Sequence, residues 1–193
     1  MQNREHTLLL IIGRTASGKD SLVNKLCERT NFTQVLSYST RDRRDNEGET
    51  HRFVTEEVYN TMLANGEVAV DTNIDGNYYW ATIEQLYEND IYILDYIGLK
   101  KLQQLNLPNL RLVSVFINTP DEIRKTRALK KRGDDRNRFH SRDFSERTQF
   151  REMLKEADFD YAISNIDFAK SFSVLKWICS VEGLFMNRED TTE

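Results

Sequence analysis

Short apolar runs alternate with amphipathic stretches along this chain. Leu8-Leu9-Leu10-Ile11-Ile12 is unbroken by any polar residue, which predicts a strand over 7–12 buried on both faces. Leu22, Val23 and Leu26 then recur at helical spacing and predict a helix over 18–29. Val35-Leu36-Ser37-Tyr38-Ser39 reads as a second strand, leading into Arg41-Asp42-Arg43-Arg44. Residues 45–90 are less regular, with short strand-like pieces and a helix over 55–64, and read as an inserted subdomain. Ile91-Tyr92-Ile93-Leu94 is an apolar run ending in Asp95; residues 98–105 are helical in pattern, and 112–117 form another buried strand. Thr119 reads as an N-cap, with Pro120 at the first helical position and Asp121 and Glu122 in the first turn. Tyr161-Ala162-Ile163 is the last strand, 167–186 a closing amphipathic helix, and Glu189 to Glu193 a tail that should fray. This alternation predicts an α/β fold with a parallel central sheet covered by helices.

A length of 193 residues suits one compact domain. The chain is 39% hydrophobic and 30% charged with only 2 prolines, the balance of a soluble, well-structured protein. A net charge of -4 argues against a general nucleic-acid binder. The apolar run at Leu8 is too short to cross a membrane and its flanks do not make a signal peptide, so a cytoplasmic protein is expected. Cys27 and Cys179 lack metal-ligand spacing and read as buried free thiols. Between Asp121 and Arg142 nine Lys or Arg face four acids. Such a run is either a solvated helix face or an arginine-rich flap closing over phosphates.

The chemistry concentrates at Gly13-Arg14-Thr15-Ala16-Ser17-Gly18-Lys19-Asp20, between the first strand and the first helix. It fits G-x-x-x-x-G-K and departs only at Asp20, where Ser or Thr is usual. Glycines let backbone N–H groups turn inward, the helix N-terminus adds a positive dipole end, and Lys19 reaches terminal phosphates. This segment and Ser21 form the candidate ATP site of a P-loop NTPase three-layer fold; the alternative is an ordinary strand-to-helix turn. Asp20 remains a hard oxygen ligand and, with Asp95, a candidate for Mg²⁺.

Further motifs follow in order. Ser37, Thr40-Arg41, Arg44, Glu47 and His51-Arg52-Phe53 resemble the acceptor-binding segment of guanylate kinases. Gly76-Asn77-Tyr78-Tyr79 resembles that family's G-x-Y-Y, Leu94-Asp95 its Walker B strand end, Lys131-Arg132-Gly133 with Arg142 its lid, and Asp160 to Asn165 its closing strand. The resemblance runs from residue 8 to 165. It implies a core over 7–34 and 90–186, an acceptor-binding subdomain over about 35–89 and a lid over about 130–148. It implies ATP-dependent phosphoryl transfer to a nucleoside monophosphate, GMP or dGMP first. Lys19, Arg132 and Arg142 would be catalytic; Ser37, Arg41, Arg44, His51, Asp71 and Tyr79 would hold the acceptor, and Asn165 the adenine edge.

The base-reading positions depart from the family. Its two guanine-reading acids fall at Val70 and Ile97, and a serine at Ala81. Asp71 substitutes for the first acid only if a bulge or register slip turns it to the same face. Gly18-Lys19-Asp20-Ser21-Leu22 also resembles ribose 1,5-bisphosphate phosphokinases, so a phosphorylated-sugar or other deoxynucleotide acceptor is a second reading. A non-catalytic binding domain of the same fold is a third, disfavoured by Lys19, Arg132 and Arg142. The partner expected is a small molecule, with no nucleic acid or membrane, and the chain a monomer or homodimer.

Overall fold

A computed structural model describes residues 5–43, 51–156 and 158–185. Strand β1 (His6–Ile12) is central to a four-stranded parallel sheet with β6 (Ile91–Leu94), β7 (Leu110–Asn118) and β8 (Tyr161–Ser164), in the order β6-β1-β7-β8. Leu8 to Ile12 are all 0% exposed, which accounts for the unbroken apolar run. Leu8, Leu10 and Ile12 pack on one face with Tyr92, Leu94 and Phe116. Leu9 and Ile11 pack on the other with Leu22, Leu26 and Ile178. Each such side chain contributes about 1.5–3 kcal/mol on burial, so β1 is the strand least tolerant of a polar residue.

The second sheet has the order β3-β2-β5-β4: β2 (Tyr38–Ser39), β3 (Arg52–Phe53), β4 (Val68–Ile74) and β5 (Asn77–Thr82). The expected strand over 35–39 is therefore corrected. Gln34 makes a single parallel bridge to Ile91 at the edge of the first sheet, and only Tyr38–Ser39 is strand, in the second sheet. Tyr38 is drawn there by stacking on Trp80, with ring centroids 5.2 Å apart. The two chain crossings between the sheets lie side by side. Val35 N–H donates to Ile91 O at 2.8 Å, Asp90 N–H to Thr33 O at 3.0 Å, and Thr33 N–H to Asp90 Oδ2 at 2.7 Å. Asp75 and Gly76 turn β4 into β5 with φ of 53° and 82°, the left-handed pair that a tight hairpin requires.

Helix α1 (Lys19–Arg29) follows β1, and α2 (Glu56–Ala64) lies over the expected 55–64. Helix α3 (Ile83–Glu88) opens on a Thr82/Gln85 capping box, α4 (Tyr96–Gln104) is capped by Asp95, and α7 (Phe168–Val181) by Asp167. The tail beyond 185 lies outside the described residues. Cys179 is buried and Cys27 half-buried, and they are not joined in a disulfide.

One expectation at the start of the basic run is corrected. Helix α5 (Asp121–Thr126) has Pro120, not Thr119, at its N-cap, because the Thr119 hydroxyl donates instead to Ser17 O at 2.9 Å. A π-helical turn (Arg127–Arg132) continues α5 and stops at Gly133, whose φ is 71°. The second half of the run forms helix α6 (Arg136–Glu156), which no apolar periodicity announced. Only Phe139, Asp143, Phe150 and Met153 are buried along its 21 residues, and one of those four is an acid.

Candidate active site

A cavity of about 870 Å³ opens at the C-terminal ends of β1 and β6, between the two sheets and the basic run. Its first wall is the glycine loop. Gly18 sits at φ 92°, and a Cβ there would meet Asn165 Nδ2 at 2.5 Å, so only glycine fits without displacement. Ala16 also takes a positive φ, 59°. The buried Ser17 carbonyl accepts from Thr119 Oγ1, from Arg127 at 2.9 Å and from Asn165 Nδ2 at 2.7 Å. Three donors on one carbonyl fix the loop from below. Gly13, Thr15, Ala16, Gly18, Lys19, Asp20 and Ser21 line the cavity. Lys19 makes no hydrogen bond or ion pair among the described residues.

Arg14 and Ser17 lie elsewhere. Ser17 is 1% exposed beneath the loop. Arg14 turns back to Asp121 Oδ1 at 3.0 Å and Asp143 Oδ1 at 2.7 Å. Arg124, 1% exposed, joins the same acids at 2.8 and 2.6 Å and donates to Thr15 O at 3.1 Å. This chain of alternating charges ties the loop to α5 and α6. Asn165 borders the cavity, yet its side-chain N–H is committed to the loop. That makes it a brace for the loop in this arrangement.

The second wall comes from β2, β4 and β5 with the segment after β2. Ser37, Arg41, His51, Asp71 and Tyr79 all border the cavity. Arg44 and Glu47 lie outside the described residues. The Arg41 guanidinium lies 4.8 Å over the Phe53 ring, and His51 meets Tyr79 edge-on at 5.5 Å. Burial pushes the pKa of the Tyr92 hydroxyl, on the same cavity wall, far up.

At the base-reading positions, Val70 is 3% exposed in the core and Ile97 is 42% exposed. A register shift separates Val68 from Val70 in β4, so a bulge does precede Asp71. Asp71 accepts from Tyr59 Oη at 2.7 Å and Lys101 Nζ at 2.8 Å. Burial alone would raise its pKa, but these bonds outweigh it and hold the carboxyl below the usual range. Asp95 caps α4 by accepting from Gly98 N–H at 2.7 Å and also borders the cavity. Its burial raises its pKa against the Gly98 hydrogen bond that lowers it.

The third wall is the basic run, through Arg127, Lys131, Arg132 and Arg142. Arg132 Nε donates to Asp134 at 2.7 Å, and Arg142 lies 3.6 Å from Glu146. Glu146, which the sequence reading missed, reaches the loop itself: Thr15 N–H donates to its Oε2 at 2.6 Å. Arg127 and the Asp121–Arg124–Asp143 set were missed as well. In sequence all of them are charges in a charged stretch, and only the Asp121–Arg124 spacing of three and the Arg142–Glu146 spacing of four hint at pairs. Among the described residues no group of three or more His, Cys, Asp or Glu gathers as a metal cage.

Comparison with known proteins bears on this arrangement. A guanylate kinase profile matches residues 5–182. The guanylate kinase of Salmonella typhimurium strain LT2 is 31% identical over 194 residues, covering 95% of this chain and 91% of the relative. That of Escherichia coli K12 is 30% identical with the same coverage. Among solved structures, guanylate kinase from Anaplasma phagocytophilum superposes with a TM-score of 0.65, over 93% of this chain and 87% of that one, at 22% identity. That structural likeness speaks for the fold, and the match of both profile and sequences along nearly the whole length means that this chain belongs to the guanylate kinase family.

Proposed function

We propose that this protein transfers the terminal phosphoryl group of ATP to GMP or dGMP, giving ADP and the nucleoside diphosphate. The observation that carries this reading is that one cavity is bordered by the glycine loop, by Arg41 and Tyr79, and by Arg132 and Arg142. Phosphoryl transfer needs little covalent chemistry from a protein. It needs two phosphates held in line, their repulsion offset and water excluded. In this reading the loop amides and Lys19 hold the donor phosphates. Arg41, with Ser37 and Tyr79 as hydroxyl donors, holds the acceptor phosphate, joined by Arg44. Arg132 and Arg142 leave Asp134 and Glu146 to stabilise charge on the transferring group. The sheet β3-β2-β5-β4 serves as the acceptor-binding subdomain and the region around 130–148 as the lid.

Mg²⁺ fits the donor set. Asp20 and Asp95 offer oxygen ligands on the cavity wall, and Mg²⁺ is commonly held by one or two carboxylates with phosphate oxygens and waters rather than by a protein cage. When bound it would neutralise charge on the donor phosphates. With Val70 and Ile97 apolar, Asp71 is the carboxylate nearest in sequence to a base-reading role. The relatives named above favour this nucleotide acceptor over a phosphorylated sugar.

The test is ADP production from ATP and Mg²⁺ with GMP, dGMP, AMP, dTMP, UMP or CMP in parallel, for wild type and Lys19→Ala. GMP or dGMP should be turned over. Lys19→Ala should lower kcat by about 10²–10³ with the fold intact. No turnover of any monophosphate would refute the proposed reaction, and full activity in Lys19→Ala would refute the site assignment.

A further inference from the structure

The contact between Glu146 and the glycine loop has a chemical meaning beyond bracing. A P-loop amide is a donor built for a phosphate oxygen, and here a carboxylate oxygen sits on it at 2.6 Å. The same carboxylate lies 3.6 Å from Arg142 and within electrostatic reach of Arg132, the two lid arginines. One anion therefore bridges a loop amide and the cations assigned to the transferring group. A nucleotide phosphate would make those same interactions. Its position is also fixed by the fold. Asp143, one turn earlier on α6, is 8% exposed and locked between Arg14 and Arg124, so residue 146 is delivered to the loop on the same helix face.

We propose that Glu146 is a positioning residue of the donor site. Its carboxylate occupies a phosphate place on the Thr15 amide and holds Arg142, and the incoming donor phosphate displaces it. Donor binding is then an exchange of one anion for another. The displaced carboxylate gives up Thr15, and the released Arg142 turns to the phosphate. This rests on the reading that the loop holds a nucleoside triphosphate.

The experiment is direct binding of a non-hydrolysable ATP analogue to wild type, Glu146→Gln, Glu146→Ala and Lys19→Ala, with the KM for GMP measured alongside. Gln keeps the volume and an oxygen able to accept from Thr15, but loses the charge. Both Glu146 variants should bind the analogue more tightly, by about three- to tenfold, the scale of one charge-assisted hydrogen bond partly offset by exposure. The KM for GMP should stay unchanged. Glu146→Ala should melt at a lower temperature than wild type when free, with the gap closing when the analogue is bound, because only the free form uses the contact. A brace with no part in the exchange would give unchanged or weaker binding in both variants, and that result overturns the proposal. Lys19→Ala separates the two failures. If it binds the analogue as wild type does, the loop reading itself is wrong. If it loses affinity while the Glu146 variants match wild type, only the exchange is wrong.

Discussion

Asp143→Asn tests whether the charge chain behind the glycine loop holds the fold together. Asp143 accepts from Arg14 at 2.7 Å and forms an ion pair with Arg124 at 2.6 Å, and Arg124 is 1% exposed. The amide keeps the shape and an oxygen where both guanidiniums meet Oδ1, but removes the charge that offsets them and puts an NH2 in place of Oδ2, which lies 3.6 Å from Arg147. Removing one partner of a buried ion pair costs about 3–5 kcal/mol. Here the loss is smaller, because Arg124 keeps Asp121 and the Thr15 carbonyl, and Arg14 keeps Asp121. Asp121 itself is 55% exposed and takes up only part of the deficit. The expected destabilisation is therefore about 2–3 kcal/mol, or about 5–10 °C in Tm for a domain of this size. Urea unfolding with an unchanged m-value measures it. A loss below about 1 kcal/mol would mean that Asp121 alone satisfies both arginines, and the reasoning from burial would be wrong.

Gly18→Ala should destabilise the protein by about 2 kcal/mol or more, since the residue is left-handed and its Cβ would push Asn165 off the Ser17 carbonyl; a chemical melt matching wild type would refute this. Asp95→Asn tests the raised pKa. Burial raises the folded pKa above the unfolded one, so the associated stability is present at low pH and is lost as pH rises through the folded value. Asparagine still caps α4. The variant should therefore gain stability over wild type at neutral pH, with the gain shrinking as pH falls toward ~4, while activity falls if the carboxylate serves Mg²⁺. Denaturation curves across that range decide it, and a gain that instead grew toward low pH would contradict the burial argument.

What the sequence made legible is local. The strand, glycine loop and helix from His6 to Arg29 are neighbours in the chain, and their pattern is set by burial on both faces of one sheet. Much of the cavity wall was legible too, because Arg41, Tyr79, Asp95, Arg132 and Arg142 occur in ordered motifs. What escaped was set by partners distant in sequence. Val35 and Leu36 look like strand, yet a single bridge at Gln34 is all the first sheet takes before Tyr38 leaves for Trp80. Thr119 looks like a cap until Ser17, 102 residues away, claims its hydroxyl. Helix α6 hides its buried face because Asp143 stands where an apolar residue would mark it. Glu146 has no sequence mark at all; its role comes from meeting a backbone amide 131 residues away.

The paired crossings at Thr33, Val35, Asp90 and Ile91 set the mechanics of the molecule. Two beams are spliced there by a two-ply strap, and a separate clip, Lys101 to Asp71, pins β4 to α4. Tilting one sheet against the other would have to break bonds in the strap or in the clip. In the proposed reaction the alignment of donor and acceptor would rest on that joint. A misplacement of about 1 Å can cost ~10²-fold in rate, so in that reaction the joint would count as much as the arginines proposed to act in the cavity.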